Sequence, residues 1–150
     1  MKVLIQIVKE ASVTVDEVTI GKIGTGVLYF VAFKNGDTSE LVDKMLFKIL
    51  KLRIFPDQNG KTNLSLDKVN GSILSISQFT LYANMKEGNR PSFTSSMAGK
   101  ESEILYNYFN KRLNELGYHV QTGKFGADMK VSLVNDGPFT VMIDSEELYG

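Results

Sequence analysis

Two short segments carry side chains whose types and spacing could do chemistry. Ser77-Gln78-Phe79-Thr80 places two hydroxyls and an amide on what reads as an interior strand running from Ser72 to Tyr82. A hydroxyl there could act as a nucleophile, and backbone N–H groups could stabilise an oxyanion. Taken alone, the segment reads more readily as a strand end turning to solvent. The second is Asn135-Asp136-Gly137-Pro138-Phe139-Thr140, between two stretches of strand character. Asn-Asp-Gly is a hairpin signal. Gly-Pro adds a residue with no Cβ and a bond that can be cis, a pair able to present backbone carbonyls to a ligand at close range.

The common enzyme templates are poorly provided for. The chain has no cysteine, which excludes disulfides, thiolate metal sites and cysteine nucleophiles. Its one histidine, His119, follows Gly117-Tyr118 directly after a helix stop and reads as a partly exposed strand residue rather than a triad base. Carboxylates do not cluster around it, so no metal and no cofactor are expected. Gly21, Gly24 and Gly26 are not followed by a helix, so they serve a hairpin rather than a phosphate loop. Glu146-Glu147 reads as solvated surface. The 17 basic and 17 acidic side chains cancel, whereas a protein that wraps nucleic acid by charge alone is usually basic. If RNA is the partner, contact is therefore expected to be local, at one end or one strand, with modest salt dependence.

The elements that must position these residues follow from periodicity. At 150 residues the chain is expected to form one domain, 1–150, around one core. The longest apolar run, Val27 to Phe33, is strand-sized and too short to cross a bilayer. Met1-Lys2-Val3-Leu4-Ile5-Gln6 lacks the apolar stretch of a signal peptide, which points to the cytoplasm. Val3, Ile5, Val13 and Val15 lie in strand-forming segments, Val18 to Ile23 reads as a hairpin arm, and Val27 to Phe33 as a strand buried on both faces. Asp37 or Thr38 caps a helix with inward Leu41, Val42, Met45, Leu46, Ile49 and Leu50. A second helix is expected from about Lys100 to Leu116, with Ile104, Leu105, Tyr108, Phe109, Leu113 and Leu116 inward and Gly117 as its stop. Three short strands follow, near Tyr118 to Thr122, Met129 to Asn135 and Phe139 to Asp144. Many strands and two main helices imply an α+β fold, an antiparallel sheet curled towards a barrel.

Together the motifs resemble one family. Ala11-Ser12-Val13, Asn63-Leu64-Ser65, Ser77-Gln78-Phe79-Thr80-Leu81-Tyr82, Gly88-Asn89-Arg90-Pro91-Ser92-Phe93, Lys124-Phe125-Gly126-Ala127-Asp128-Met129 and Asn135-Asp136-Gly137-Pro138 occur in the order seen in D-aminoacyl-tRNA deacylases. The match runs from the first residue to about Ser145. The resemblance implies a homodimer with its active sites at the subunit interface, acting on the 3′ acceptor end of aminoacyl-tRNA. Ser77, Gln78, Phe79 and Thr80 would form the catalytic floor. Gly137-Pro138 would reach across from the partner as a cis peptide and screen chirality. Phe125 and Met129 would hold the terminal adenosine, and Asn135 belongs to the loop's motif. After Gln6 many relatives carry an arginine that helps fix this loop; here the residue is Ile7, and Phe139 replaces a more usual valine.

An aminoacyl ester is already activated, which suits a site poor in catalytic side chains. The resemblance implies that N–H groups of Phe79 and Thr80 stabilise the oxyanion and that the neighbouring ribose hydroxyl positions the attacking water. Thr80 as covalent nucleophile is the competing account, and it needs a base that the sequence does not offer. Selectivity would come from a backbone wall that rejects L side chains and admits D-amino acids and glycine. A non-catalytic RNA-end binder and an editing deacylase of altered chirality are the alternatives.

Overall fold

A computed structural model describes residues 1–150, and its long first strand, β1 (Lys2–Val15), organises the rest. Apolar residues alternate along its first half, so Val3, Ile5 and Ile7 are buried on one face. Val8, Ala11 and Val13 are buried on the other, in a separate cluster. Strand β2 (Val18–Ile23) folds back on the second half of β1, and β3 (Gly26–Ala32) pairs antiparallel with the first half. The two therefore share one edge of β1 in succession.

Helix α1 (Ser39–Ile49) begins at Thr38, whose hydroxyl accepts from Leu41 N–H as an N-cap. It buries Val42, Met45, Leu46 and Ile49. A small hairpin of β4 (Phe55–Pro56) and β5 (Thr62–Leu64) follows, closed by the turn expected at Pro56 to Gly60. Strand β6 (Ser72–Ser77) then runs parallel to β3. Helix α2 (Gly99–Glu115) packs on α1, and β7 (Val120–Thr122) runs parallel to β6. The last strand, β8 (Lys130–Asp144), pairs antiparallel with β1 along its length and leads into the short helix α3 (Ser145–Tyr149).

The α+β class and the curled sheet are those the sequence implies. The sheet is mixed, however, because the crossovers through α1 and α2 return the chain parallel at β6 and β7. One face of the sheet packs under the helices with Tyr29, Phe33, Met45, Phe109 and Leu113. The other closes on itself, where Leu28, Leu74 and Ile76 meet Val8, Ala11, Val13 and Ile23, with Met129, Val131 and Leu133 packed against them. Strand β3 lies between these layers, which is why its sequence is continuously apolar.

Four sequence expectations need correction. The strand beginning at Ser72 stops at Ser77, and Phe79–Tyr82 is a turn of 3-10 helix. The two strands expected around Asn135–Phe139 are one strand with a bulge, so Asn-Asp-Gly makes no hairpin. On α2 the buried row is Ser102, Tyr106, Phe109, Asn110 and Leu113. Ile104 and Leu116 are 63% and 47% exposed, because polar Ser102 and Asn110 take the inward positions that apolar periodicity gives to others. Helix α3 is absent from the sequence reading; Asp144 caps it by accepting from Glu146 N–H. The N-terminal ammonium of Met1 is buried between Asp37 Oδ2 at 2.8 Å and Ser145 Oγ at 2.9 Å. No helix is long and apolar enough to cross a membrane.

Gly26 lies against β6 with no room for a side chain. A Cβ there would fall on the carbonyl oxygen and amide nitrogen of Ser72, backbone atoms that cannot step aside. Gly26→Ala is therefore expected to cost about 3 kcal/mol, the upper end of the usual overpacking range, by forcing the two strands apart. Urea unfolding checks this, and a loss below about 1 kcal/mol would contradict the close approach.

Candidate functional site

Strands β3 and β6 run parallel, so their carboxyl ends open on the same side of the sheet. A cavity of about 500 Å³ lies there, floored by Val31 and Ala32 from β3 and by Ile76, Ser77, Gln78 and Phe79. Gln78 donates its backbone N–H to the Val31 carbonyl at 2.8 Å, extending the β3–β6 pairing by one step. The chain then coils into the 3-10 turn. As the first residues of that turn, Phe79 and Thr80 have no carbonyl within it to receive their N–H groups. The Gln78 side-chain amide donates to Thr80 Oγ1 at 2.6 Å, tying floor to rim. Phe79 is 54% exposed and rests edge-on against Phe93, with ring centroids 5.0 Å apart.

The facing wall comes from the segment between β7 and β8. Phe125, Gly126, Ala127 and Met129 line it, with Val131 at the start of β8. Its position is set from behind by one carbonyl. Ser75 O, directly before the floor, accepts from Gly123 N–H at 3.2 Å and from Tyr106 Oη at 2.6 Å. The Tyr106 ring packs against Phe125 at 5.9 Å. Burial pushes the Tyr106 hydroxyl above its ordinary range, an effect its hydrogen bonds partly offset. Ser96, Met97, Gly99 and Ser102, at the start of α2, complete the lining. None of the lining side chains is ionisable, and no group of histidine and carboxylate side chains is arranged to hold a metal.

The structure brings Ser77, Gln78, Phe79, Phe125 and Met129 into one cavity, and Thr80 adjoins it through Gln78. Gly137, Pro138 and Asn135 do not line it. They sit on the bulge of β8, where two steps along β1 from Gln6 to Val8 are matched by five along β8 from Thr140 to Asn135. Gly137 and Pro138 are exposed at its tip, and the bond between them is cis. His119, read from sequence as a partly exposed strand residue, is exposed and lies just before β7. Sequence reasoning does not single out Met97, Ser96 or Ser102 for the site; nothing local marks them, because only the packing of α2 beside β6 brings them there.

A family profile described as D-Tyr-tRNA(Tyr) deacylase matches residues 4–144. The chain belongs to that family. A D-aminoacyl-tRNA deacylase of Lactobacillus acidophilus is 57% identical over 144 residues, covering 96% of this chain and 99% of the relative. One from Listeria monocytogenes is 51% identical, covering 99% of each. Among solved structures, a c-Myc DNA unwinding element binding protein superposes with a TM-score of 0.91 at 38% identity, covering 97% of this chain and 99% of the other. Membership in the deacylase family thus spans the whole fold, floor and wall included.

The Ser75 carbonyl offers a direct check on how the wall is held. Tyr106→Phe keeps the ring beside Phe125 and removes one of two donors to that carbonyl. A loss of about 1 kcal/mol is expected, read as a lower Tm in calorimetry. An unchanged Tm would mean that the hydroxyl does not brace the wall.

Proposed function

We propose that the chain hydrolyses the ester of D-aminoacyl-tRNA, releasing free tRNA and the D-amino acid and leaving L-aminoacyl-tRNA intact. The observation that carries this is the composition of the cavity. Its volume lies within the roughly 300–1,000 Å³ of small-molecule sites, yet it offers no ionisable side chain. Such a site suits a substrate that is already activated, and an aminoacyl ester is one. Phe125 and Met129 supply the apolar surface for the terminal adenosine. The N–H groups of Phe79 and Thr80 face the developing oxyanion, where a single donor is typically worth about 3–4 kcal/mol. The ribose hydroxyl beside the ester positions the attacking water, so neither a side-chain base nor a cofactor is required. Thr80 contributes its backbone and its tie to Gln78 rather than acting as nucleophile.

Chirality is screened by the backbone of Gly137 and Pro138, supplied by the partner of a homodimer. Two features support this arrangement. The neck of the bulge at Asn135 lies roughly 13 Å along the strand from Val131, the last β8 residue at the cavity, so the loop stands apart from its own site. In addition, β8 pairs only with β1, which leaves its other edge open, with exposed Val134 and Met142 beside it. Residues 1–150 act as one domain, and the substrate places the enzyme in the cytoplasm.

Incubation of purified protein with D-tyrosyl- and L-tyrosyl-tRNA tests the reaction. The D ester is expected to disappear while the L ester survives, and glycyl-tRNA, lacking a Cβ, to be cleaved as well. Loss of both tyrosyl esters at equal rates sinks the reading; binding of tRNA with loss of neither makes the protein an RNA-end binder instead.

The catalytic group is tested separately. Thr80→Ala should stay within about tenfold of the parent rate, whereas D-tyrosyl-tRNA lacking the free hydroxyl next to the ester should react at least about a hundredfold more slowly. A dead Thr80→Ala with normal hydrolysis of the modified substrate would establish the threonine as nucleophile.

A further inference from the structure

The loop that carries Gly137-Pro138 interrupts the β1–β8 ladder, so backbone pairing cannot fix it. Opposite it on β1 is Ile7, whose apolar side chain is 5% exposed and belongs to the core under the helices. Ile7 offers no polar group to the loop. Proline has no N–H, and Gly137, with φ of +134°, adds no side chain. Two side-chain hydrogen bonds cross the neck, and a third ties it to β1. Thr140 Oγ1 accepts from Gln6 Nε2 at 3.1 Å and from Asn135 Nδ2 at 2.8 Å. Asn135 Oδ1 accepts from the Phe139 N–H at 3.1 Å, directly after the proline. The Asn135 amide thus spans the loop from its first residue to its last two, and Thr140 anchors that amide to β1 through Gln6.

We propose that Thr140, through the hydroxyl that holds Asn135 and Gln6, is a positioning residue that sets the enzyme's chiral selectivity. The inference rests on the reading of this loop as the chirality screen. A backbone wall rejects a side chain only if it cannot retreat when struck. Rejection of the L ester therefore depends on the stiffness of the loop, whereas hydrolysis of the D ester, which does not touch the wall, depends on it far less. Removing the staple loosens the wall without altering the floor at Ser77 to Thr80 or the adenosine wall at Phe125. Its signature is a change in the ratio of L to D hydrolysis, which a general loss of stability would not produce.

The experiment compares initial rates on D-tyrosyl- and L-tyrosyl-tRNA for the parent and for Thr140→Val, Thr140→Ser and Gln6→Met. Hydrogen exchange at the Phe139 amide is followed in parallel. Thr140→Val keeps the shape of the side chain and abolishes both acceptances. The L-to-D ratio is expected to rise about tenfold, with faster exchange at Phe139. Gln6→Met removes one donor and should raise the ratio about threefold, which keeps the test open should Thr140→Val fail to fold. Thr140→Ser, which retains the oxygen, should restore the parent ratio. Unchanged ratios in folded Thr140→Val and Gln6→Met overturn the proposal, as does slow exchange at Phe139 in both. A parent protein inactive on the D ester refutes the deacylase reading instead, and the exchange data still report whether the staple holds the loop.

Discussion

Every backbone N–H and C=O of a strand buried in a sheet needs a partner, and strand β1 has both edges to satisfy over its 14 residues. Much of the architecture follows from how it does so. One edge is taken first by β3 and then by β2, which turns the sheet at the handover and curls it. The other edge is taken by β8 from Lys2 to Thr14, broken only at the bulge between Gln6 and Glu10. Because β1 contributes to the helix-covered layer with Val3, Ile5 and Ile7 and to the inner layer with Val8, Ala11 and Val13, it joins the two hydrophobic clusters. An extra residue on β1 between Val8 and Glu10 shifts the register there, so that odd-numbered Ala11 and Val13 face the same cluster as Val8.

The cavity floor is built where a buried strand ends. The main chain at Phe79 and Thr80, whose N–H groups find no carbonyl within their own turn, is positioned by the sheet rather than by rotamers. Ser75 illustrates the economy of this. Its carbonyl receives Tyr106 and Gly123, whose segment carries the Phe125 wall, and two residues later the same strand ends in the Ser77 floor. Floor and wall are therefore referenced to one peptide group. A helix, a strand and a loop separated by tens of residues keep a common geometry through it.

Much of this is legible in the amino-acid sequence. The cap of α1 at Asp37 or Thr38, its inward row and the doubly buried β3 all follow from local pattern, because each is decided by near neighbours along the chain; the structure chooses Thr38. Family resemblance singles out Ser77–Thr80 and Asn135–Pro138 together, although neither segment is persuasive alone; within one chain only the first lies at the cavity. The misreadings share a cause. Asn-Asp-Gly reads as a hairpin because the alternative, continued pairing with β1, is decided by residues more than a hundred positions away. Ser102 and Asn110 are polar and so escape an apolar pattern, yet α2 turns them inward. The end of β6 at Ser77 escapes notice because Phe79, Leu81 and Tyr82 have strand-like side chains, while the turn is dictated by where β3 runs out.

The pairing of β1 with β8 also has a kinetic side. It joins Lys2 to Asp144, the first strand made to the last. During synthesis β1 can find β2 and β3 early, but its other edge stays bare until nearly the whole chain has emerged. Contacts so distant in sequence are formed late and slowly. Throughout that interval the nascent protein displays an apolar strand with an open hydrogen-bonding edge, a template for joining any neighbouring chain in the same condition. Folding yield should accordingly be governed by how quickly β8 arrives, and a chain stalled before β8 would be far more adhesive than one stalled after it.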